Sequence, residues 1–178
     1  GSMRDKKLSV VIPQLNEGPH LEQTLETIRR ELTMFEGDYE LILIDDGSSD
    51  GTWKLLQASV SALPDVRAIR LSRRFGKELA MCAGLERARG DAVVVMDGDL
   101  QHPPRLIPEM VRCWEAEGFD IVEGVKRRRG EESASYRTQA GVYHFLLRAL
   151  SGIDLRGASD FKLMDRKVLE AWNRMPER

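Results

Sequence analysis

LILIDDGSSDGT, residues 41–52, carries a strand, a turn and the start of a helix. Its first half belongs to Tyr39–Ile44, an apolar and β-branched run that reads as a strand. The run does not alternate apolar with polar, so both of its faces are expected to be buried. Asp45, Asp46, Gly47, Ser48, Ser49, Asp50 and Gly51 follow, all turn-forming types. Thr52 to Ala62 then reads as a helix. Acidic side chains therefore fall just past the carboxyl end of a buried strand.

The same pattern recurs outward in both directions. Leu8–Pro13 (LSVVIP) reads as a strand and is followed by Asn16 and Glu17. From His20 to Phe35, the apolar residues Leu21, Leu25, Ile28, Leu32 and Phe35 keep helical spacing. Val66–Leu71 is a third strand and Lys77 to Ala88 a helix. Asp91–Met96 is a fourth strand, ending in Asp97, Gly98 and Asp99 before a helix from Pro103 to Glu117. Asp120–Glu123 starts a fifth strand. Strands alternating with helices predict an α/β domain with a mostly parallel sheet and helices on both faces. In such folds ligands bind beyond the carboxyl ends of the strands, where every conspicuous polar cluster here lies.

The 178 residues suffice for one domain with a full core. A hydrophobic content of 42% and a charged content of 31% fit an ordinary globular protein. The net charge of −2 argues against a nucleic-acid binder. Cys82 and Cys113 lack metal-ligand spacing and are expected to be free thiols. Gly1, Ser2 and Met3 read as a tag remnant. No apolar run approaches the ~20 residues that span a bilayer, so the chain itself is expected to be soluble.

Glu17, Asp45, Asp46, Asp97 and Asp99 converge by topology on one sheet edge, where like charges repel unless something offsets them. A divalent cation is the natural candidate, because Mg²⁺ takes one or two carboxylates together with substrate phosphates. Asp97 and Asp99 flank Gly98, which lets backbone approach a ligand, and Gln101 adds a neutral oxygen. His102 reads as a loop residue or outer donor. A lone Asp-Gly-Asp would be no more than a turn; its position after a buried strand, beside two other carboxylate clusters, gives it weight. No phosphate-binding Gly-rich loop, dinucleotide fingerprint or Gly-x-Ser-x-Gly elbow occurs.

Five blocks, in order, resemble glycosyltransferase family 2 and its GT-A (Rossmann-like) fold: LSVVIPQLNE (residues 8–17), LILIDDGSSDGT (41–52), LSRRFGKELAMCAGL (71–85), MDGDLQHPP (96–104) and SDFKLMDRKV (159–168). Within the family the chain resembles the polyprenyl-phosphate glycosyltransferases. The resemblance implies a nucleotide site at Pro13, Leu15, Glu17, Ile44, Asp46, Lys77, Asp97 and Gly98. In it Glu17 is near the ribose and Asp46 accepts a hydrogen bond from the base. It implies Mg²⁺ or Mn²⁺ held by Asp97, Asp99 and Gln101. Lys126 and Arg137 fall where the group binds the acceptor phosphate, and Asp99 and Asp160 are the carboxylates nearest the chemistry. The sequence departs from the pattern at Leu15, where an aromatic is usual. It departs also at Gly98, where Ala is common, at Lys126, which replaces Arg, and at Gly141, where Ser is frequent.

The implied reaction is an inverting transfer of a sugar from a nucleoside diphosphate to a polyprenyl phosphate. UDP-glucose is the first donor and GDP-mannose the next, because Phe75–Glu78 (FGKE) resembles the bactoprenol glucosyl subgroup. The resemblance also implies that residues 4–178 form the catalytic domain of a longer protein. That protein continues into membrane-associated segments and works at the cytoplasmic face of the inner membrane. Tyr136 to Leu150 is predicted as a helix with a wide apolar arc, suited to the core or to a membrane surface. The alternatives are a polysaccharide-forming family member, a receiver-like phosphoacceptor domain and a silent binding module. Homo-oligomer formation is left open.

Overall fold

The computed structural model describes residues 5–98, 104–124, 143–145 and 161–174. Seven strands form one sheet in the order β3-β2-β1-β4-β7-β5-β6. They are β1 (Lys7–Gln14), β2 (Asp38–Asp45), β3 (Val66–Arg70), β4 (Ala92–Val95), β5 (Ile121–Gly124), β6 (Tyr143–Phe145) and β7 (Lys162–Asp165). The helices are α1 (Gly18–Leu32), α2 (Thr52–Ala62), α3 (Lys77–Arg87), α4 (Ile107–Glu117) and α5 (Arg166–Asn173), with a 3₁₀ turn at Pro104–Leu106. The pairs β1–β2, β1–β4 and β2–β3 are parallel. β7 lies antiparallel between β4 and β5, and β6 antiparallel on β5. Five of the seven strands thus share one direction.

Alternate residues of the central strands enter two cores. Leu8, Val10, Ile12, Leu41, Leu43 and Val94 pack against α1, α2 and α4. Val11, Ile42, Ile44, Val93 and Val95 pack against α3 and α5. This double burial is why the strands read as uninterrupted apolar runs. α3 comes closest to the sheet at Gly84. There a Cβ would overlap Val11 Cγ1 and lie 2.7 Å from Ile44 Cδ1.

Two elements differ from expectation. Lys162–Asp165 forms β7 and enters the sheet between β4 and β5, a position the strand–helix alternation does not predict. Four residues opening on a lysine carry too little periodicity to be read as a strand. Its end is well anchored. Asp165 caps α5 by accepting the Lys167 N–H at 2.8 Å and also accepts the Trp114 indole N–H at 2.7 Å. The Arg166 guanidinium donates to the carbonyls of Ala88 and Gly90. Second, Tyr143–Phe145 pairs with β5 as a strand, so the helix expected over residues 136–150 does not hold at these three positions. The rest of that helix lies outside the described residues. Cross-strand pairing overrides an apolar spacing that fits a short buried strand as well as a helix. Neither Cys82 nor Cys113 is in a disulfide.

Because α3 has no room at its contact with the sheet, Gly84→Val is expected to cost about 2 kcal/mol, the scale of overpacking a filled core. Urea denaturation should show a lower midpoint at an unchanged slope; an unchanged midpoint would contradict the close approach.

Candidate functional site

The carboxyl ends of β1, β2 and β4 lie side by side, with Gln14 in register with Asp45. Past β1 the chain turns through Asn16, which adopts φ 53°, a left-handed conformation that Asn tolerates better than most residues. The turn is tied to the loop after β2. The Asn16 N–H donates to Ser48 Oγ at 3.0 Å. Asn16 Oδ1 accepts from the N–H groups of Ser49 at 3.0 Å and Asp50 at 3.4 Å. A second tie runs from the Gly18 N–H to Thr52 Oγ1 at 3.0 Å, and Thr52 donates through both its hydroxyl and its N–H to Asp50 Oδ1. These Thr52 bonds hold the Asp50 carboxyl below the usual carboxylate range. A lowered folded value means that this small contribution to stability is present above the ordinary carboxylate pKa and is lost as pH falls. Leu15 and Glu17 flank Asn16 and are both part-exposed.

The two aspartates after β2 do different work. Asp45 is fully buried and accepts the Ser48 N–H through Oδ1 at 2.9 Å. Asp46 accepts the Phe75 N–H through Oδ1 at 2.8 Å and the Gly76 N–H through Oδ2 at 3.0 Å. It therefore clamps the loop between β3 and α3. Gly47, at φ +77°, allows that loop to close, since a Cβ there would lie 2.5 Å from the Arg74 nitrogen. Pro13 is buried at the end of β1, and Ile44 is fully buried in the core on the α3 side.

At the end of β4, Lys77 Nζ lies 3.1 Å from Asp97 Oδ1. The lysine side chain is 44% exposed and the aspartate side chain 10%. Lys77 opens α3, whose N-cap Gly76 makes no side-chain cap hydrogen bond. Gly98 is packed so closely that a Cβ would fall 2.5 Å from Gln14 Nε2 and 2.9 Å from the Pro13 carbonyl oxygen. The Gln14 carboxamide is 1% exposed, and neither its nitrogen nor its oxygen finds a hydrogen-bond partner among the described residues.

Of the expected metal ligands, Asp97 is described, whereas Asp99 and Gln101 lie outside the described residues, as does His102. So do Lys126, Arg137, Gly141 and Asp160. No group of three or more His, Cys, Asp or Glu side chains forms a metal cluster among the described residues. The fit to a hard divalent cation rests on Asp97. Its nearly buried carboxylate already faces a cation, the Lys77 ammonium, and carboxylate and carboxamide oxygens are the donors that Mg²⁺ and Mn²⁺ prefer. Sequence reasoning missed the tying role of Asn16, the orphaned amide of Gln14 and the clamp on the loop at Phe75. An Asn immediately after a buried strand was the one available signal for the first.

A model of Glycosyl transferase family 2 matches residues 9–172. The undecaprenyl-phosphate 4-deoxy-4-formamido-L-arabinose transferase of Proteus mirabilis is 39% identical over 161 residues, covering 90% of this chain and 48% of that protein. The prophage bactoprenol glucosyl transferase homolog of Escherichia coli is 34% identical over 173 residues, covering 97% of this chain and 56% of that protein. The chain spans about half the length of the curated relatives it matches. Among solved structures, a mannosyltransferase of Pyrobaculum calidifontis in complex with GDP-Man and Mn²⁺ shares the fold, with a TM-score of 0.68 at 21% identity over 97% of this chain and 48% of that one. The glucosyl-3-phosphoglycerate synthase of Mycobacterium tuberculosis, in complex with Mn²⁺, UDP-glucose and phosphoglyceric acid, gives 0.60 at 26% identity over 91% and 57%.

Asn16→Ala removes an acceptor for two backbone N–H groups and leaves a side chain poorly suited to φ 53°. It is expected to cost about 2 kcal/mol in chemical denaturation. Asn16→Gly relieves the backbone but not the lost bonds and should fall between the wild type and Asn16→Ala. Equal stability of all three would remove the assigned role.

Proposed function

The chain belongs to glycosyltransferase family 2, and on that premise we propose that it carries the catalytic part of an enzyme moving a hexose from a nucleoside-diphosphate sugar to a polyprenyl phosphate. The observation that carries this reading is the meeting of Lys77 and Asp97 beside the uncapped start of α3. A helix N-terminus, an ammonium and a carboxylate at the carboxyl-end edge of one sheet suit a diphosphate, because backbone N–H groups and the helix dipole favour its charge. The relatives named for undecaprenyl phosphate and bactoprenol favour a lipid phosphate as acceptor.

Asp97, Asp99 and Gln101 would hold Mg²⁺ or Mn²⁺, and the neighbour bound to Mn²⁺ and UDP-glucose supports such a site. When bound, the cation would offset negative charge on the departing diphosphate. Lys77 binds a diphosphate oxygen once Asp97 has another cation. Asp46 keeps the loop at residues 75 and 76 in place beside the nucleoside, with the part-exposed Leu15 and Glu17 beside it. Pro13 and Ile44, expected there from the sequence, are buried, and Ile44 packs in the core on the α3 side, so they support the site from beneath rather than line it. Lys126 and Arg137 draw the acceptor phosphate toward the anomeric carbon. A phosphate monoester carries roughly −1.5 to −2 charges at neutral pH, so its oxygen attacks without a strong general base. Asp160 orients the acceptor or the sugar. Direct displacement inverts the anomeric centre. UDP-glucose is the first donor to test and GDP-mannose the second. No helix among the described residues is long and apolar enough to cross a membrane. Contact with the cytoplasmic membrane face is part of the same proposal, with residues 4–178 as the catalytic domain.

Transfer to a growing polysaccharide is the second reading within the family. The receiver-like reading is withdrawn. Receiver domains share the flavodoxin-like strand order 2-1-3-4-5, whereas here an antiparallel β7 separates β4 from β5.

A thermal-shift panel of UDP- and GDP-sugars with and without Mn²⁺, followed by transfer of labelled sugar to polyprenyl phosphate, tests the proposal. Asp97→Ala and Asp99→Ala are each expected to lower turnover by about a hundredfold or more, since loss of the cation removes several kcal/mol of charge stabilisation. Turnover that survives both changes, or occurs equally in EDTA, would overturn the metal-assisted reading.

A further inference from the structure

The loop between β3 and α3 holds an exposed aromatic ring in a fixed place. Phe75 is 39% exposed, and it is the one aromatic among the large exposed apolar side chains of the described residues. Exposed rings normally sit on loops free to reorient, but this loop is clamped. Asp46 accepts both the Phe75 and the Gly76 N–H groups, and Gly47 packs against the backbone of Arg73 and Arg74. Gly76 adopts φ +100°, a turn that redirects the chain from the ring into α3. The Arg73 guanidinium carbon lies 4.6 Å from the ring centroid, so one face of the ring is backed by a cation.

Two residues beyond Phe75, Lys77 reaches Asp97. Two residues of chain span at most about 7 Å. A fixed aromatic surface therefore stands one short step from a cation–carboxylate pair at the strand ends. A nucleoside diphosphate is the complementary object, with a flat π-system at one end and a doubly charged anion at the other. Leu15, on the loop after β1, supplies no ring of its own.

We infer that Phe75, backed by Arg73, is the surface on which the donor's nucleobase stacks, an inference that rests on the nucleotide-sugar reading above. Stacking on an aromatic ring tolerates any base, because every base has a π-face. The ring thus contributes affinity, and the choice between uracil and guanine falls to hydrogen bonds at the base edge. Because Asp46 has already ordered the loop, binding spends little entropy on it.

The test compares Mn²⁺–UDP, Mn²⁺–GDP and Mn²⁺–pyrophosphate binding by calorimetry for the wild type, Phe75→Ala, Phe75→Leu and Phe75→Tyr. Phe75→Ala and Phe75→Leu are expected to weaken both nucleotides about tenfold, within the range for base–aromatic stacking, and to leave pyrophosphate unchanged. Phe75→Tyr should restore nucleotide affinity. Phe75→Trp should add fluorescence that UDP and GDP quench and pyrophosphate does not, above the background of Trp53, Trp114 and Trp172. Equal nucleotide affinity in the wild type and Phe75→Ala would overturn the stacking alone. If that equality comes with loss of flotation on anionic liposomes, the ring serves a bilayer, together with the exposed Leu79 in the first turn of α3, and the inference is likewise overturned. A wild-type protein that binds pyrophosphate but neither nucleotide would overturn the donor reading itself.

Discussion

β1 has no face in water: Leu8, Val10 and Ile12 pack on one helical layer and Val11 on the other. A strand buried on both sides can keep a polar side chain only if a partner is built for it. Ser9 has such a partner, donating to Glu40 Oε2 at 2.6 Å and accepting the Gly90 N–H at 2.8 Å. Glu40 in turn accepts the Arg89 N–H at 2.8 Å. That end of the strand is a closed hydrogen-bonding unit. At the other end Gln14 is equally buried and its amide is unmet. The same constraint thus separates a finished structural end of the sheet from an end with unspent polar capacity, and the loops that carry the carboxylates all leave from the second.

Crowding Asp45, Asp46 and Asp97 at that end demands compensation, which takes two forms. Asp46 is met on both oxygens by the Phe75 and Gly76 N–H groups, and Asp45 on Oδ1 by the Ser48 N–H, its Oδ2 finding no partner among the described residues; these donors are backbone groups whose positions are set by the fold. Asp97 is met by a lysine on a flexible, half-exposed side chain. Backbone donors cannot leave without unmaking the loop; an ammonium can be exchanged for another cation at little structural cost. The exchangeable partner sits on the aspartate assigned to the metal, and the fixed partners sit on the aspartates that shape the loops. A single row of acidic residues is in this way divided between carboxylates held by the backbone and one paired with a side chain.

The strand–turn–helix units were legible because their signals are local. LILIDDGSSDGT announces its own strand, turn and helix, and Thr52 to Ala62 is a helix at the expected residues. β7 was not legible, since what makes Lys162–Asp165 a strand is the gap between β4 and β5 that it fills. Tyr143–Phe145 was read at helical spacing because three residues cannot express a period of two strongly enough to compete. At the site, residue types pointed to Asp46 and Asp97, but not to what each carboxylate touches. That depends on loops brought together from far along the chain, such as residues 46 and 75. Asn16 illustrates the same limit, since its side chain reaches residues 49 and 50 across the sheet edge.

Gly98 reads in sequence as a residue that lets backbone approach a ligand beside Asp97. The packing gives another reason. A methyl at residue 98 would press on the Gln14 amide and on the Pro13 carbonyl. The Pro13 carbonyl is backbone and cannot give way, so the turn after Asp97 has no room for a Cβ whatever side chain stands at residue 14. The same packing places next to Asp97 a buried carboxamide whose donor and acceptor have no partner among the described residues. An unmet buried amide carries a desolvation penalty of about 1–3 kcal/mol for each polar group. A fold that keeps one next to an exchangeable ion pair has kept polar capacity where a bound phosphate or water could use it.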